Sequence, residues 1–258
     1  MNQNRKTQRR ELTDRRKHEP ATEQRLKDLA AEHTGWGCPQ LHEQLRREGI
    51  QINHKRTERL YSELGLKLRR RRRRRLPIGA RQVLLQPIRP LQCWSMDFMS
   101  DALSWSRPYR LLNIIDDYAR DALEIEIDFS LGAERVRRVL ERLFDAHGVP
   151  QYIRSDNGPE FRAEALQRWI KDRGVTWEFI QPGKPAQNAF IERFNGTLRT
   201  EVLDLHSFRT LEEARAETKR WMRIYNEMRT HRSLGKLPPN EFKARWQHHQ
   251  SLSDTGIT

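Results

Sequence analysis

The sequence predicts an α/β domain, with a mixed β-sheet flanked by helices, preceded by a small all-α domain. Three observations lead to this prediction. Short amphipathic helical patterns fill the first third of the chain, an arginine run followed by prolines separates that third from the remainder, and strand and helix patterns alternate after residue 92. The 258 residues are enough for two such domains.

Three short helices are predicted between residues 21 and 68. Leu26 and Leu29 share one face of the first helix, Leu41 lies on the second, and Asn53 is a good N-cap for the third. Three short helices with a tight turn before the last describe a helix-turn-helix unit, in which early residues of the last helix face DNA bases. A small bundle with a solvated charged face is the alternative. The candidate DNA-contacting residues are Lys55, Arg56 and Arg59, beside His54.

Seven consecutive arginines follow this helical region. No packed core accepts such a run, so it is a solvated linker, lies along phosphates, or does both. Prolines then keep residues 76–90 extended, which places the domain boundary there. The run consists of Arg69, Arg70, Arg71, Arg72, Arg73, Arg74 and Arg75. The expected organisation is a basic, disordered tail (1–20), a helix-turn-helix domain (21–68), an arginine-rich linker (69–90), an α/β domain with C-terminal helices (91–246) and a tail (247–258).

Positive charge is concentrated before this boundary. Residues 1–90 contain 24 Lys and Arg against 10 Asp and Glu, whereas residues 91–258 contain 25 of each, so the net charge of +14 belongs to the first third. Such asymmetry is typical of a protein that binds a polyanion, most often nucleic acid. A basic tail that only improves solubility is the alternative, and the helical patterns within the basic region disfavour it.

Composition excludes several classes of protein. No apolar stretch approaches the roughly 18 residues that suggest a membrane-spanning helix, and residues 1–20 lack the apolar centre of a secretory signal. Cys38 and Cys93 are too few for a disulfide framework or a cysteine-based zinc site, so we expect no zinc. A reduced, cytoplasmic setting is expected.

The second domain begins with three consecutive strands, predicted from Cys93 to Met99, Tyr109 to Asp116 and Ala122 to Phe129. The elements predicted after them are a helix (133–147), a strand (152–155), a helix (163–173), a strand (175–180) and two helices (187–203 and 211–226). The order βββ-α-β-α-β-α-α is that of a ribonuclease-H-like sheet flanked by helices.

Three acids occupy positions that this topology can bring together. Asp97 lies within a strand between large apolar residues, where a charge is costly unless it is paired or metal-bound. Asp156 follows a short strand, and Glu192, after 35 intervening residues, lies in the first turns of a helix. Singly, these acids could be a satisfied strand carboxylate, a turn residue and a partner of the helix dipole. Together they can bind Mg²⁺ through oxygen ligands at the edge of the sheet.

The segments around these acids resemble the DDE transposases of the insertion-sequence three family, whose catalytic domain is similar to retroviral integrase. The matching segments are Trp-Ser-Met-Asp-Phe (94–98), Ser-Asp-Asn-Gly-Pro-Glu-Phe (155–161) and Gln-Asn-Ala-Phe-Ile-Glu (187–192). The resemblance extends from about residue 21 to residue 246 and includes the segment 225–235. Ala189 and Thr230 depart from the glycine and proline that the family usually has at these positions.

The resemblance implies metal-dependent DNA cleavage and strand transfer at the ends of a bacterial insertion sequence. It implies two Mg²⁺ (or Mn²⁺) ions, with Asp97 bridging them and Asp156 and Glu192 each holding one. It further implies double-stranded DNA as the partner, contacted by Asn157 and Arg199 among others, and a dimer or larger assembly on DNA at the nucleoid. An upstream-frame protein, or a frameshift fusion with it, is a further expected partner.

Two alternatives remain beside a transposase. One is a catalytically silent DNA-binding regulator derived from a transposase, and the intact set of acids argues against it. The other is a nuclease of the same fold without strand transfer, which the basic first third and the C-terminal helices disfavour.

Overall fold

The computed structural model describes residues 20–68, 87–181 and 185–254, and the chain divides into two compact units between Arg70 and Arg71. The basic tail, except its last residue, and the arginine run therefore lie outside the described residues. Within the described ranges, no helix is both long and apolar enough to cross a membrane.

The first unit contains three helices, α1 (Pro20–Glu32), α2 (Cys38–Arg47) and α3 (His54–Glu63). The predicted N-cap is confirmed, because the Asn53 side chain accepts a hydrogen bond of 3.0 Å from the backbone N–H of Lys55. A buried hydrogen bond of 2.8 Å between His42 Nδ1 and Thr57 Oγ1 joins α2 to α3. These contacts fix the orientation of α3, the predicted DNA-reading helix, within its own unit.

The second unit is built on a five-stranded sheet with the strand order β3-β2-β1-β4-β5. The strands are β1 (Cys93–Ala102), β2 (Pro108–Asp116), β3 (Ala122–Asp128), β4 (Tyr152–Ser155) and β5 (Thr176–Phe179). The first three form an antiparallel meander, whereas β4 pairs in parallel with both β1 and β5. The mixed, ribonuclease-H-like sheet predicted from the sequence is therefore confirmed.

Five α-helices of this unit are α4 (Ala133–His147), α5 (Glu164–Asp172), α6 (Ala189–Leu198), α7 (Leu211–Glu227) and α8 (Pro239–Asp254). The single helix predicted over 187–203 is wrong in detail: α6 is preceded by a 3-10 turn at Pro185–Asn188 and followed by a π-helical turn at Arg199–Leu203. The sequence also did not predict α8, which extends into the expected tail. Few apolar residues mark α8, and its rings Phe242 and Trp246 contact Tyr118.

The two faces of the sheet carry separate hydrophobic cores. Alternation along the strands sends Leu111 and Ile115 of β2 to one face, under α6 and α7, and Leu112 and Ile114 to the other, under α4 and α5. Helices therefore cover both faces, so a charge on a central strand is shielded from water except where the helices leave an opening.

Side chains of α7 hydrogen-bond the backbone of β3, an edge strand. The Asn226 side chain accepts from Ala122 N and donates to Ala122 O, both at 2.8 Å. Arg215 donates to Ile127 O through Nε and Nη2, at 3.0 and 2.8 Å. Backbone groups near both ends of this edge are thereby satisfied, and α7 is held along the sheet.

Candidate active site

The register of the sheet brings two of the predicted acids side by side. Parallel pairing of β1 with β4 aligns Ser95 with Arg154, so Asp156, two residues further on, comes level with Asp97 just after β4 ends. On its other side, Asp97 lies directly opposite Asn113 of β2. Asp97 therefore stands in the middle of the sheet, next to the loop that carries Asp156.

The third acid comes from α6. Ile191, Phe194 and Leu198 of this helix are buried in the core, whereas Glu192, in its first turn, is exposed. Because α6 packs across β1 and β2, its N-terminal turn brings Glu192 to the vicinity of Asp97.

The electrostatics of Asp97 depend on the other two acids. The pKa of Asp97 is raised to about 6, mainly by burial, then by the charge of Asp156, with a further contribution from Glu192. Burial also raises the pKa of Glu192. Among the described residues, no three His, Cys, Asp or Glu side chains are grouped so that they could hold a metal ion as they stand. The charges of Asp156 and Glu192 thus act on Asp97, but the three carboxylates do not form a ready-made set of ligands.

The chemistry of these side chains fits a divalent cation. The oxygens of Asp97 accept hydrogen bonds from the backbone N–H of Phe98 (2.9 Å) and from Asn195 Nδ2 (2.7 Å), and Asp156 accepts one from Gly158 N (3.1 Å). Across the described parts of the chain, none of the three acids forms an ion pair with Lys, Arg or His. Adjacent carboxylates without a counter-cation are the oxygen ligands that Mg²⁺ and Mn²⁺ bind.

The loop that carries Asp156 is held from both sides. Asn157 donates from Nδ2 to Ile180 O (2.7 Å) and accepts at Oδ1 from Arg162 (3.1 Å), which fixes the loop beside β5. On the β2 side, Arg110 forms an ion pair with Glu160 of the same loop. These contacts were not predicted, although Glu160 lies within the segment that suggested the site. Asn157, expected to contact DNA, is engaged within the protein.

Arg199, the other predicted DNA contact of this domain, lies in the π-helical turn after α6. Its Nη2 donates to Ser100 O at 2.8 Å, and its Nη1 lies 3.6 Å from an Asp101 carboxylate oxygen. Arg199 is therefore attached to the far end of β1 and not to the catalytic candidates.

Residues of α7 and of the segment that follows it contact the π-helical turn. Arg229 forms an ion pair with the buried Glu201, which also accepts a hydrogen bond of 2.9 Å from Trp221 Nε1. His231 packs against the ring of Tyr225, and burial lowers the pKa of His231 to about 3. The C-terminal segment 225–235, noted in the sequence, therefore anchors the end of the helix that carries Glu192.

The three DNA-contact candidates of the first unit all lie on α3. Lys55 is exposed in its first turn, Arg56 is half-buried, and Arg59 lies 3.8 Å from Glu63 one turn along the helix. The remaining candidates, Arg69 to Arg75, lie outside the described residues.

Three family profiles match the chain. An HTH-like domain matches residues 17–74, and two integrase core domain profiles match residues 87–185 and 173–239. A chain of the simian T-cell lymphotropic virus intasome, solved in complex with PP2A regulatory subunit B56 gamma, shares the fold at a TM-score of 0.50 and 15% identity, covering 80% of this chain and 70% of that chain. Fold, acids and profiles together define a DNA-binding protein with an integrase catalytic core.

Two bacterial relatives specify the family. The chain is 44% identical over 230 residues to the uncharacterized 31.7 kDa protein of insertion element IS407 from Burkholderia multivorans, covering 89% of this chain and 82% of the relative. It is 41% identical over 235 residues to the uncharacterized 39.2 kDa protein of insertion element IS476 from Xanthomonas euvesicatoria, covering 90% of this chain and 68% of the relative. The chain belongs to the insertion-sequence three family of DDE transposases. It is a polynucleotidyl transferase of insertion-element DNA, as the sequence predicted.

Proposed function

We propose that Asp97, Asp156 and Glu192 are the catalytic residues with which this transposase cleaves DNA at the ends of its element and joins a 3′-OH to target DNA. The observation that supports the proposal is that the charges of Asp156 and Glu192 act on the buried Asp97 in an integrase core, while none of the three acids forms an ion pair with a described residue. A DNA-binding protein without catalysis has no use for such an arrangement, because the mutual repulsion of the acids is unfavourable unless a cation relieves it.

Two Mg²⁺ or Mn²⁺ ions are the proposed cofactor, and they would stabilise the attacking and leaving oxygens of an in-line displacement. Asp97, Asp156 and Glu192 would hold these ions through their carboxylate oxygens, with Asp97 lying on β1 between the loop of Asp156 and the strand β2. Asp97 is held by two hydrogen bonds and Asp156 by a tethered loop, so both present fixed ligands. Glu192 is exposed and completes the set from the solvent side. Water or a DNA 3′-OH serves as the nucleophile.

Double-stranded DNA, as element ends and as target, is the proposed partner. Lys55, Arg56 and Arg59 would contact the element end through α3, and the arginine run would follow the phosphates. Asn157 and Arg199 now donate hydrogen bonds to backbone oxygens of the protein. To contact DNA, each would have to replace these hydrogen bonds with hydrogen bonds to DNA. We further propose a dimer or larger assembly on DNA, a contribution from an upstream-frame protein or fusion, and action at the bacterial nucleoid.

A strand-transfer assay with two matched substitutions tests the proposal. Labelled DNA carrying the element ends is incubated with Mg²⁺ and the parent protein, Glu192→Gln or Glu164→Gln. Glu164 is the appropriate control because it is also a first-turn glutamate, on α5, and its ion pair among the described residues is with Arg168 at the surface. We expect the parent and the control to join DNA, and Glu192→Gln to bind DNA without joining it.

Persistent joining by Glu192→Gln would contradict the assignment. DNA binding without joining by all three proteins would favour a silent regulator or a missing upstream-frame partner. Repeating the assay with the fused form separates these two explanations, because only the second predicts that joining appears.

A further inference from the structure

We propose that Asn113 of β2 is a positioning residue for Asp97 and acts through the amide of Asn195. This inference rests on the proposed catalytic role of Asp97. Asn113 does not touch Asp97 through its side chain in the described hydrogen bonds. It orients the group that does.

A chain of two hydrogen bonds connects the three side chains. Asn113 Nδ2 donates to Asn195 Oδ1 at 2.7 Å, and Asn195 Nδ2 donates to Asp97 Oδ2 at 2.7 Å. The first residue lies on β2, the second on α6 and the third on β1, so the chain crosses three elements that meet under the site.

The chemistry of the carboxylate fixes the direction of both bonds. An ionised carboxylate only accepts hydrogen bonds, so Asn195 must turn its NH₂ group toward Asp97. Its carbonyl oxygen then faces Asn113, which must in turn present its own NH₂ group. The amide of Asn195 could otherwise rotate by half a turn and direct its oxygen at Asp97, where it would repel the carboxylate. The donor on Asn113 prevents this rotation.

The surroundings of Asn113 indicate that its polarity serves this contact. Asn113 is fully buried, with Leu111 and Ile115 on the same face of β2 and Ile125 opposite on β3. Its Oδ1 accepts no hydrogen bond from any described residue. A buried amide whose NH₂ group donates a hydrogen bond while its carbonyl oxygen accepts none is unfavourable among apolar side chains. A leucine at this position would pack there without an unsatisfied carbonyl.

The consequence for metal binding follows from the fixed carboxylate. Asp97 Oδ1 accepts from Phe98 N and Oδ2 from Asn195, so its rotation is restrained while lone pairs on both oxygens remain for cations. Asn195 also lies one helical turn after Glu192. The same helix therefore supplies one ligand and the amide that orients another.

The test measures Mn²⁺ binding to the full chain by electron paramagnetic resonance, together with thermal unfolding. Asn113→Leu removes the donor and keeps the number of side-chain heavy atoms, Asn195→Ala removes the intermediate amide, and a double variant combines them. Ile115→Val, two residues along the same face of β2, is the control for packing. Asp97→Asn identifies the Mn²⁺ that is bound at the site.

We expect Asn113→Leu to raise the dissociation constant for Mn²⁺ roughly tenfold, as for other outer-shell partners of metal ligands. Its melting temperature should change little, because the unsatisfied Asn113 carbonyl is gone while Asn195 Oδ1 loses its donor. Ile115→Val should show the opposite pattern, with a lower melting temperature and unchanged Mn²⁺ affinity. In the Asn195→Ala background, Asn113→Leu should have no further effect, because the connection is already broken.

Three outcomes would overturn the inference. Unchanged Mn²⁺ affinity in Asn113→Leu, with binding that depends on Asp97, would refute the positioning role and leave the proposed function standing. Additive effects of the two asparagine substitutions would show that Asn113 does not act through Asn195. Mn²⁺ binding that is the same in the parent and in Asp97→Asn would refute both the inference and the proposed metal site.

Discussion

Two groups of carboxylates lie on the same sheet, and they differ in how their charges are compensated. One group contains Asp97 and its neighbours, and the other contains Asp116, Asp117 and Asp121 at the turn from β2 to β3. Asp116 is paired with Trp94, three residues before Asp97, so the groups are about 10 Å apart along β1. In both groups burial is the main cause of raised pKa values, which reach about 6 for Asp97, Asp116 and Asp117.

Each acid of the second group has its own partners. Asp117 accepts from Ser95 Oγ at 2.8 Å and pairs with Arg154 at 3.3 Å. Asp121 pairs with Lys243 of α8. Asp116 accepts two backbone hydrogen bonds, from Leu91 N and Tyr118 N, each at 2.8 Å.

The comparison shows that neither a raised pKa nor a cluster of acids is enough to locate a catalytic site. The two groups differ in their counter-cations among the described residues. In the second group, Asp117 and Asp121 each pair with a cation, which connects the turn after β2 to β4 and α8. The group that contains Asp97 accepts hydrogen bonds but has no ion pair with a described residue. Its negative charge is therefore available to a bound cation.

The largest expected effect comes from Asp97→Asn. We expect strand transfer to fall by at least about 10³-fold, since a metal contributes several kcal/mol of transition-state stabilisation. The free energy of unfolding should be unchanged or higher, because the substitution removes repulsion from Asp156 and Glu192. Activity assays and thermal unfolding of the same preparation measure both. A protein that loses activity only because it unfolds would contradict the distinction between the two groups.

Asp117→Asn should behave in the opposite way. It leaves Arg154, which is mostly buried, with only Glu178 as its ionic partner, so we expect the unfolding free energy of the second unit to fall by roughly 2–3 kcal/mol. Strand transfer per folded molecule should be retained at a temperature where the variant is folded. Denaturant unfolding followed by activity assays tests this, and a loss of activity without a loss of stability would indicate that the second group takes part in catalysis.

Divalent metal should stabilise the fold through the first group alone. At an Mg²⁺ concentration ten times the dissociation constant, the expected gain is about 1.4 kcal/mol. This gain should disappear in Asp97→Asn and remain in Asp121→Asn, whose partner Lys243 already balances the charge. Thermal shift with and without chelator provides the measurement. Equal loss of the effect in both variants would mean that metal binds at the second group as well.

The smallest expected effect on stability concerns Arg199, which follows the helix that carries Glu192. Arg199→Ala should change the unfolding free energy by less than about 1 kcal/mol, because its ion pair with Asp101 is partly exposed. If Arg199 contacts a phosphate, the salt dependence of DNA binding should become shallower by about one charge. Arg168→Ala, an exposed arginine of α5, is the control. Identical salt slopes for the parent and both variants would limit Arg199 to its structural contact.

The sequence was sufficient to predict the order of the strands and of the helices before α8, because β3 alternates, β2 is a buried apolar run and the main helices have an apolar face. The convergence of Asp97, Asp156 and Glu192 stays a prediction, which rests on their spacing and on the topology of the sheet. The sequence did not predict the register between the strands. Asn113 lies opposite Asp97 only through β-ladder pairing, and no local pattern indicates that pairing.

Two other features could not be predicted from the sequence. The π-helical turn at Arg199–Leu203 depends on tertiary contacts, including the ion pair of Glu201 with Arg229. The balance of the second acid group depends on partners that are distant in sequence, such as Lys243 for Asp121. Such compensation decides which acids are structural, and it is visible only once the chain is folded.

The attachment of α7 to β3 has a consequence for how copies of this protein can meet. A strand from another molecule cannot extend the sheet beside β3 without first displacing the side chains of Asn226 and Arg215. The opposite edge strand, β5, is only four residues long and offers little backbone to pair with. Open-ended polymerisation by strand addition is therefore disfavoured at both edges of the sheet, which would protect the protein from aggregation during its proposed assembly on DNA.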